Sequence, residues 1–148
     1  MKRLNREEMA QWLTEATPSA PVYLVGIGGC GMSGLAHLLL DAGFTVHGSD
    51  LRENAEVRQL RERGAEIFIG HAPEQLINVR PGLVVYSSAI RTDNPELAAA
   101  EEQSLPVARR AVLLAALAHR RRGVCIAGMH GKSTTTALLA HALEALGA

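Results

Sequence analysis

The chain has 148 residues, 47% of them hydrophobic and 3% aromatic, with 15 lysines and arginines against 15 aspartates and glutamates. That length suits one ordinary domain, and the apolar share excludes a disordered chain. A neutral balance offers no field for nucleic acid or a membrane surface, and so few aromatics leave no platform for base stacking.

Asn5 followed by Glu8 predicts a helix N-cap with its capping partner. Met9, Trp12, Leu13 and Ala16 follow at helical spacing, and Pro18 ends the element. Trp12 reads as a packing anchor. Val22 to Val25 is a short apolar run stopped by Gly26, the pattern of a buried parallel strand. Met32 to Ala42 reads as a helix with Gly43 as its C-cap. Phe44 to His47 predicts a second strand, Glu53 to Arg63 a charged surface helix, and Glu66 to Ile69 a third strand. Leu83 to Tyr86 is a fourth, after the Pro81-Gly82 turn. Pro95 to Glu102 is helical, with proline suited to its first turn. Leu105 to Ala108 is a fifth strand, Arg109 to Arg121 a helix, Val124 to Ala127 a sixth strand, and Lys132 to Leu146 a last helix. Such alternation predicts an α/β fold: a Rossmann-like parallel sheet with helices on both faces. The break at Arg120-Arg121-Arg122-Gly123 divides it into an N-terminal helix (1–20), a main domain (21–121) and the start of another strand–loop–helix unit (122–148).

Cys30 and Cys125 stand in no metal-ligand or redox spacing and read as reduced thiols of a cytoplasmic protein. No apolar run follows Lys2 and Arg3, and none elsewhere is long enough to cross a bilayer, so neither a signal peptide nor a membrane role is expected.

Two glycine loops carry chemistry. Gly26-Ile27-Gly28-Gly29-Cys30-Gly31 fits G-x-G-x-x-G between a predicted strand and a predicted helix. Glycines there let the backbone approach a diphosphate, and the N–H groups of the first helical turn point at the anion. Ser33 offers a hydroxyl donor. The plainer reading is a turn needed only for helix–strand packing. Asp50 ends the second strand where a dinucleotide fold places a ribose-binding carboxylate. A UDP nucleotide satisfies that geometry as well as NAD does, and an aspartate that caps the next helix is a third reading. Gly128-Met129-His130-Gly131-Lys132-Ser133-Thr134 follows the sixth predicted strand. There the backbone would cradle phosphates, Lys132 would reach the β- and γ-oxygens, and the Ser133 hydroxyl would ligate Mg²⁺. The spacing is not the Walker form, since Ile126 takes the place of its first glycine. An enzyme that joins a nucleotide-linked substrate to something at the expense of ATP needs both loops.

These residues resemble the Mur ligases, the ATP-dependent amino-acid ligases of peptidoglycan synthesis, and most of all their L-alanine-adding branch. The resemblance rests on Val25 to Gly34, Gly48-Ser49-Asp50, Gly70-His71, Ser87-Ser88-Ala89-Ile90, Asn94-Pro95-Glu96, Pro106-Val107 and Arg110-Ala111, in that order. It implies that Gly28, Gly29, Cys30, Gly31, Met32 and Ser33 hold the diphosphate of UDP-N-acetylmuramate. Asp50 and Leu51 would lie near the uridine, with His71, Ser87, Ser88, Ala89 and Ile90 lining the same crevice. Gly128 to Thr134 would bind ATP, with Lys132 and Ser133 serving catalysis and Ser133 meeting Mg²⁺ through ATP. The family's reaction phosphorylates the muramoyl carboxylate with ATP, and the amine of L-alanine attacks the acyl phosphate.

Departures qualify the match. Cys30 stands where the family often has a small residue, and Ser133 replaces a usual threonine. Met129 also replaces a usual threonine, which fits a divergent member, the ligase that recycles murein tripeptide onto the same UDP-sugar. The family enzyme has three domains, so the chain is expected to be a fragment that binds UDP-sugar without ligating. It would carry only the truncated start of a P-loop ATPase domain, with a tail that is mobile or packed against a second copy as a homodimer.

Three rivals stand beside this reading: an NAD(P)-binding oxidoreductase domain, a nucleotide-sugar sensor and a P-loop ATPase. His37, His47, His119 and His141 read as surface or packing residues, and His130 either touches ATP or shapes its loop.

Overall fold

A computed structural model describes residues 2–15, 20–120 and 123–147. Ala16, Pro18, Arg121 and Arg122, used above to end the first helix and mark a boundary, lie outside the described residues. The elements are β1 (Lys2–Arg3), α1 (Arg6–Glu15), β2 (Val22–Val25), α2 (Cys30–Asp41), β3 (Val46–Asp50), α3 (Ala55–Glu62), β4 (Glu66–Ile69), α4 (Pro73–Val79), β5 (Leu83–Tyr86), α5 (Pro95–Glu102), β6 (Pro106–Arg109), α6 (Arg110–His119) and α7 (Lys132–Ala145). The sheet order is β1-β6-β5-β2-β3-β4, and every pairing is parallel.

β2 and β5 are buried at every position because helices cover both faces of the sheet. Side chains alternate across the strand. Val22 and Leu24 therefore enter one core with Met9, Leu35, Leu39, Val57, Leu60 and Leu113. Tyr23 and Val25 enter the other with Leu76, Leu97 and Ala100. α1, α2, α3 and α6 thus pack on one face, and α4 and α5 on the other. Trp12 stacks on Phe44 with ring centroids 6.0 Å apart, the packing role expected of it.

Several expectations are corrected. Val124 to Ala127 forms no strand: it has no ladder partner among the described residues, and these residues are mostly exposed. Apolar, β-branched composition supplies strand propensity but not a partner edge. β3 lies at 46–50 rather than 44–47, because Phe44 is a core-filling loop residue. α4 and β1 had no counterpart in the sequence reading.

Candidate functional site

Strand order reverses at β2, which pairs with β3 on one side and β5 on the other. Open α/β sheets bind ligands at the carboxyl ends of strands beside such a switch point. A cleft of about 530 Å³ lies there, lined by Gly26, Gly29, Cys30, Gly31, Met32, Asp50, Leu51, His71, the Ser87–Ile90 turn and Arg110. The loops after β2, β3, β4 and β5 therefore bring together nearly all the residues expected to hold a UDP-sugar. A larger groove of about 720 Å³ between α2 and α6 is lined mainly by Leu38, Ala42, Leu114, Leu117 and Ala118 and holds no phosphate-type loop.

Gly28 and Ser33 do not line the cleft. The Ser33 side chain is buried, and its hydroxyl donates to the Cys30 carbonyl at 3.3 Å, so the structure turns this expected donor inward. The Gly28 N–H donates to Asp50 Oδ2 at 2.8 Å, and its carbonyl accepts from Asn54 Nδ2 at 3.0 Å. A Cβ on Gly28 would meet Asn54 Nδ2 and Val57 Cγ2 at 2.9 Å, so only glycine fits between these partners. Asp50 takes a second N–H, from Arg52 at 3.3 Å. It braces the loop and does not cap α3: that cap is Asn54, whose Oδ1 accepts from Val57 N at 2.9 Å.

The loop leaves anion-binding donors open. The N–H groups of Cys30 and Gly31, in the first turn of α2, donate to no protein acceptor among the described residues. Above them lies Arg110, the first residue of α6: a Cβ on Gly31 would sit 2.9 Å from its Nη1. Arg110 has no ion-pair partner among the described residues. Two free N–H groups, a helix N-terminus and an unpaired guanidinium are donors of the kind that bind anionic oxygens. Opposite, the Ser87 hydroxyl accepts the Ala89 N–H at 3.0 Å and holds the turn that forms the other wall.

His71 sits at the inner edge of the cleft on a buried polar cluster. Its Nδ1 lies 2.8 Å from Glu96 Oε2 and 2.9 Å from Ser49 Oγ. Ser49 donates to Glu96 Oε2 at 2.6 Å, and Tyr23 donates to Glu96 Oε1 at 2.6 Å. Glu96 is fully buried. Burial first, and then the Glu96 carboxylate, push the Tyr23 hydroxyl far above the usual phenol range.

The second loop, Gly128 to Thr134, contributes nothing to this cleft. Its residues are exposed, and Lys132 Nζ donates to the carbonyls of Gly128 at 2.7 Å and Met129 at 3.2 Å. Gly131, in the left-handed region, leads into α7, whose first-turn N–H groups are free for phosphate. Donor chemistry of this kind fits a nucleotide triphosphate. Among the described residues no cluster of three or more His, Cys, Asp or Glu side chains could hold a metal ion, and no helix is long and apolar enough to cross a membrane. Both cysteines are free and exposed.

Arg110, Asn54, Tyr23 and Glu96 were not assigned to the site from sequence. Asn54 fell inside the helix expected over Glu53 to Arg63; the structure starts that helix at Ala55 and makes Asn54 its cap, a role that asparagine favours. Glu96 stood in the Asn94-Pro95-Glu96 run that the resemblance rests on, but an acid in the first turn of a helix is ordinary and marked no site.

A family model described as Mur ligase family, catalytic domain, matches residues 21–122. The chain is 48% identical over 130 residues to the UDP-N-acetylmuramate–L-alanine ligase of Hyphomonas neptunium, covering 88% of this chain and 27% of that relative. It is 51% identical over 125 residues to the enzyme of the same name from Methylorubrum extorquens, covering 84% and 26%. Among solved structures, the UDP-N-acetylmuramate-alanine ligase of Thermotoga maritima superposes with a TM-score of 0.78 at 35% identity, over 85% of this chain and 29% of that one. A murein peptide ligase from Psychrobacter arcticus gives 0.81 at 30% identity, over 87% and 27%. The chain spans about a quarter of the length of the curated relatives it matches.

Proposed function

Because the chain belongs to the Mur ligase family, we propose that it forms the UDP-sugar-binding part of a cytoplasmic, ATP-dependent ligase that joins L-alanine to UDP-N-acetylmuramate in peptidoglycan synthesis. The observation that carries this reading is the cleft at the β2–β5 switch point, with free N–H groups of Cys30 and Gly31 facing Arg110. The diphosphate would lie on that cradle. The uridine would extend toward Leu51 and His71, and the Ser87–Ile90 turn would close the other side. Asp50 and Asn54 keep the loop in shape for the anion by holding Gly28.

Residues 128–134 would bind ATP. Lys132 would exchange its two carbonyl contacts for phosphate oxygens, and the Ser133 hydroxyl would ligate the Mg²⁺ that accompanies the nucleotide. ATP, once bound, supplies the phosphoryl group that activates the muramoyl carboxylate toward the L-alanine amine. A second reading, transfer of a murein peptide rather than L-alanine, is favoured by the likeness to the murein peptide ligase. It calls for the same UDP-sugar cleft.

Amide NMR tests the site. Saturating UDP-N-acetylmuramate is expected to shift the resonances of Cys30, Gly31, Ser88 and Ala89 and leave those of α7 unchanged. Shifts confined to the groove between α2 and α6 would contradict the assignment.

A further inference from the structure

We propose that Glu96 is a positioning residue that fixes the tautomer of His71, leaving Nε2 as the hydrogen-bond acceptor for an N–H or O–H donor on the nucleoside held in the cleft. The proposal deepens the UDP-sugar reading and rests on it for the identity of the ligand.

The reasoning is a count of hydrogens. A carboxylate only accepts. Glu96 Oε2 lies 2.8 Å from His71 Nδ1 and takes the Ser49 hydroxyl hydrogen at 2.6 Å. Ser49 has one hydrogen, and it is committed to Glu96. Toward His71 Nδ1, at 2.9 Å, the Ser49 oxygen can therefore only accept. Both polar neighbours of Nδ1 are acceptors, so Nδ1 carries the hydrogen. A neutral imidazole has one such hydrogen, and Nε2 is bare. Tyr23 completes the arrangement by donating to Glu96 Oε1 at 2.6 Å, and its raised pKa keeps that donor protonated.

The cluster is rigid because it ties three elements together. Tyr23 belongs to β2, Ser49 to β3 and Glu96 to α5, while His71 lies in the loop after β4. Glu96 and Ser49 are fully buried, and the His71 side chain is 11% exposed, at the cleft wall. A bare Nε2 attracts an imide N–H or a ribose hydroxyl and disfavours a phosphate oxygen, which could only accept. The cleft thereby acquires a direction. Phosphates are drawn to Cys30, Gly31 and Arg110, and the donor-bearing nucleoside to His71.

Long-range ¹⁵N–¹H correlation spectra of the histidine-labelled chain at about pH 8, above the ordinary imidazole range, test the tautomer without any ligand. The expected pattern places the hydrogen on Nδ1 with Nε2 unprotonated. Hydrogen on Nε2, alone or together with Nδ1, would overturn the proposal. Glu96→Gln can offer an N–H where the carboxylate only accepts. It is expected to raise the Nε2–H form and to weaken UDP binding about tenfold; an unchanged tautomer with unchanged affinity would contradict the positioning role. Ser49→Ala leaves the Glu96 contact in place and is expected to keep the Nδ1 pattern, so a flip there would also count against Glu96. The wild-type spectrum decides the tautomer whether or not either variant folds. Failure of the wild-type chain to bind UDP would remove the ligand assignment and leave the tautomer result standing, so the two failures are distinguishable.

Discussion

The backbone N–H of Gly28 donates to Asp50 Oδ2 at 2.8 Å, tying the glycine loop after β2 to the last residue of β3. Asn54 takes up the other half of the same peptide region, through its amide nitrogen to the Gly28 carbonyl at 3.0 Å. The loop is thus braced by its own fold before any ligand arrives. The N–H groups of Cys30 and Gly31 remain without a protein acceptor among the described residues, in a loop already held in one shape, and such pre-organisation lowers the ordering cost of binding.

Gly28→Ala should break this brace. The added Cβ meets Asn54, Val57 and Asp50 at 2.9–3.0 Å, and the crowding is expected to cost about 1–3 kcal/mol of stability. Gly34→Ala is the control: it lies within α2, exposed, with no atom within 4 Å of an added Cβ. It should raise stability by up to about 1 kcal/mol. Denaturant unfolding of both variants checks the contrast.

Much of this arrangement was legible because it is local. Gly26 to Gly31 announces a tight turn from strand to helix, and alternation of short apolar runs with helical patterns announces the parallel sheet. The pieces that escaped depend on contacts distant in sequence. Arg110 reaches the loop only because β6 lies two places from β2 in the sheet. Glu96 is buried only because Tyr23, Ser49 and His71 converge on it. α4 was missed for another reason. Its C-cap is Arg80, left-handed at φ 50, where a glycine would have signalled the stop. β1 has only two residues, too short for any pattern, and Val124 to Ala127 shows the converse case of strand composition without a partner.

Arg110→Ala should weaken UDP binding by about 10- to 100-fold, the loss of a charge-assisted contact. It should also flatten the dependence of affinity on salt, because the cleft loses its unpaired cation. Arg110→Lys should restore part of the affinity, as a point charge without the guanidinium fork. Titrations at two ionic strengths read both effects.

Tyr23→Phe should change how stability responds to alkali. The folded-state pKa of Tyr23 is raised, first by burial and then by Glu96. Its contribution is therefore complete below the unfolded tyrosine value of about 10 and is lost as pH climbs from there toward the folded value. The wild-type chain should lose stability over that window more steeply than Tyr23→Phe. Unfolding midpoints compared across pH 8 to about 11 check the difference, and parallel curves would contradict it.

Calorimetric titration with UDP-N-acetylmuramate, with UDP and NADH as comparisons, tests the central claim most directly. Saturable binding of the UDP-sugar and of UDP, with no heat from NADH, is the predicted result. Tight NADH binding with no response to UDP would mean that the cleft at the end of β2 serves a dinucleotide, and the ligase reading would fall.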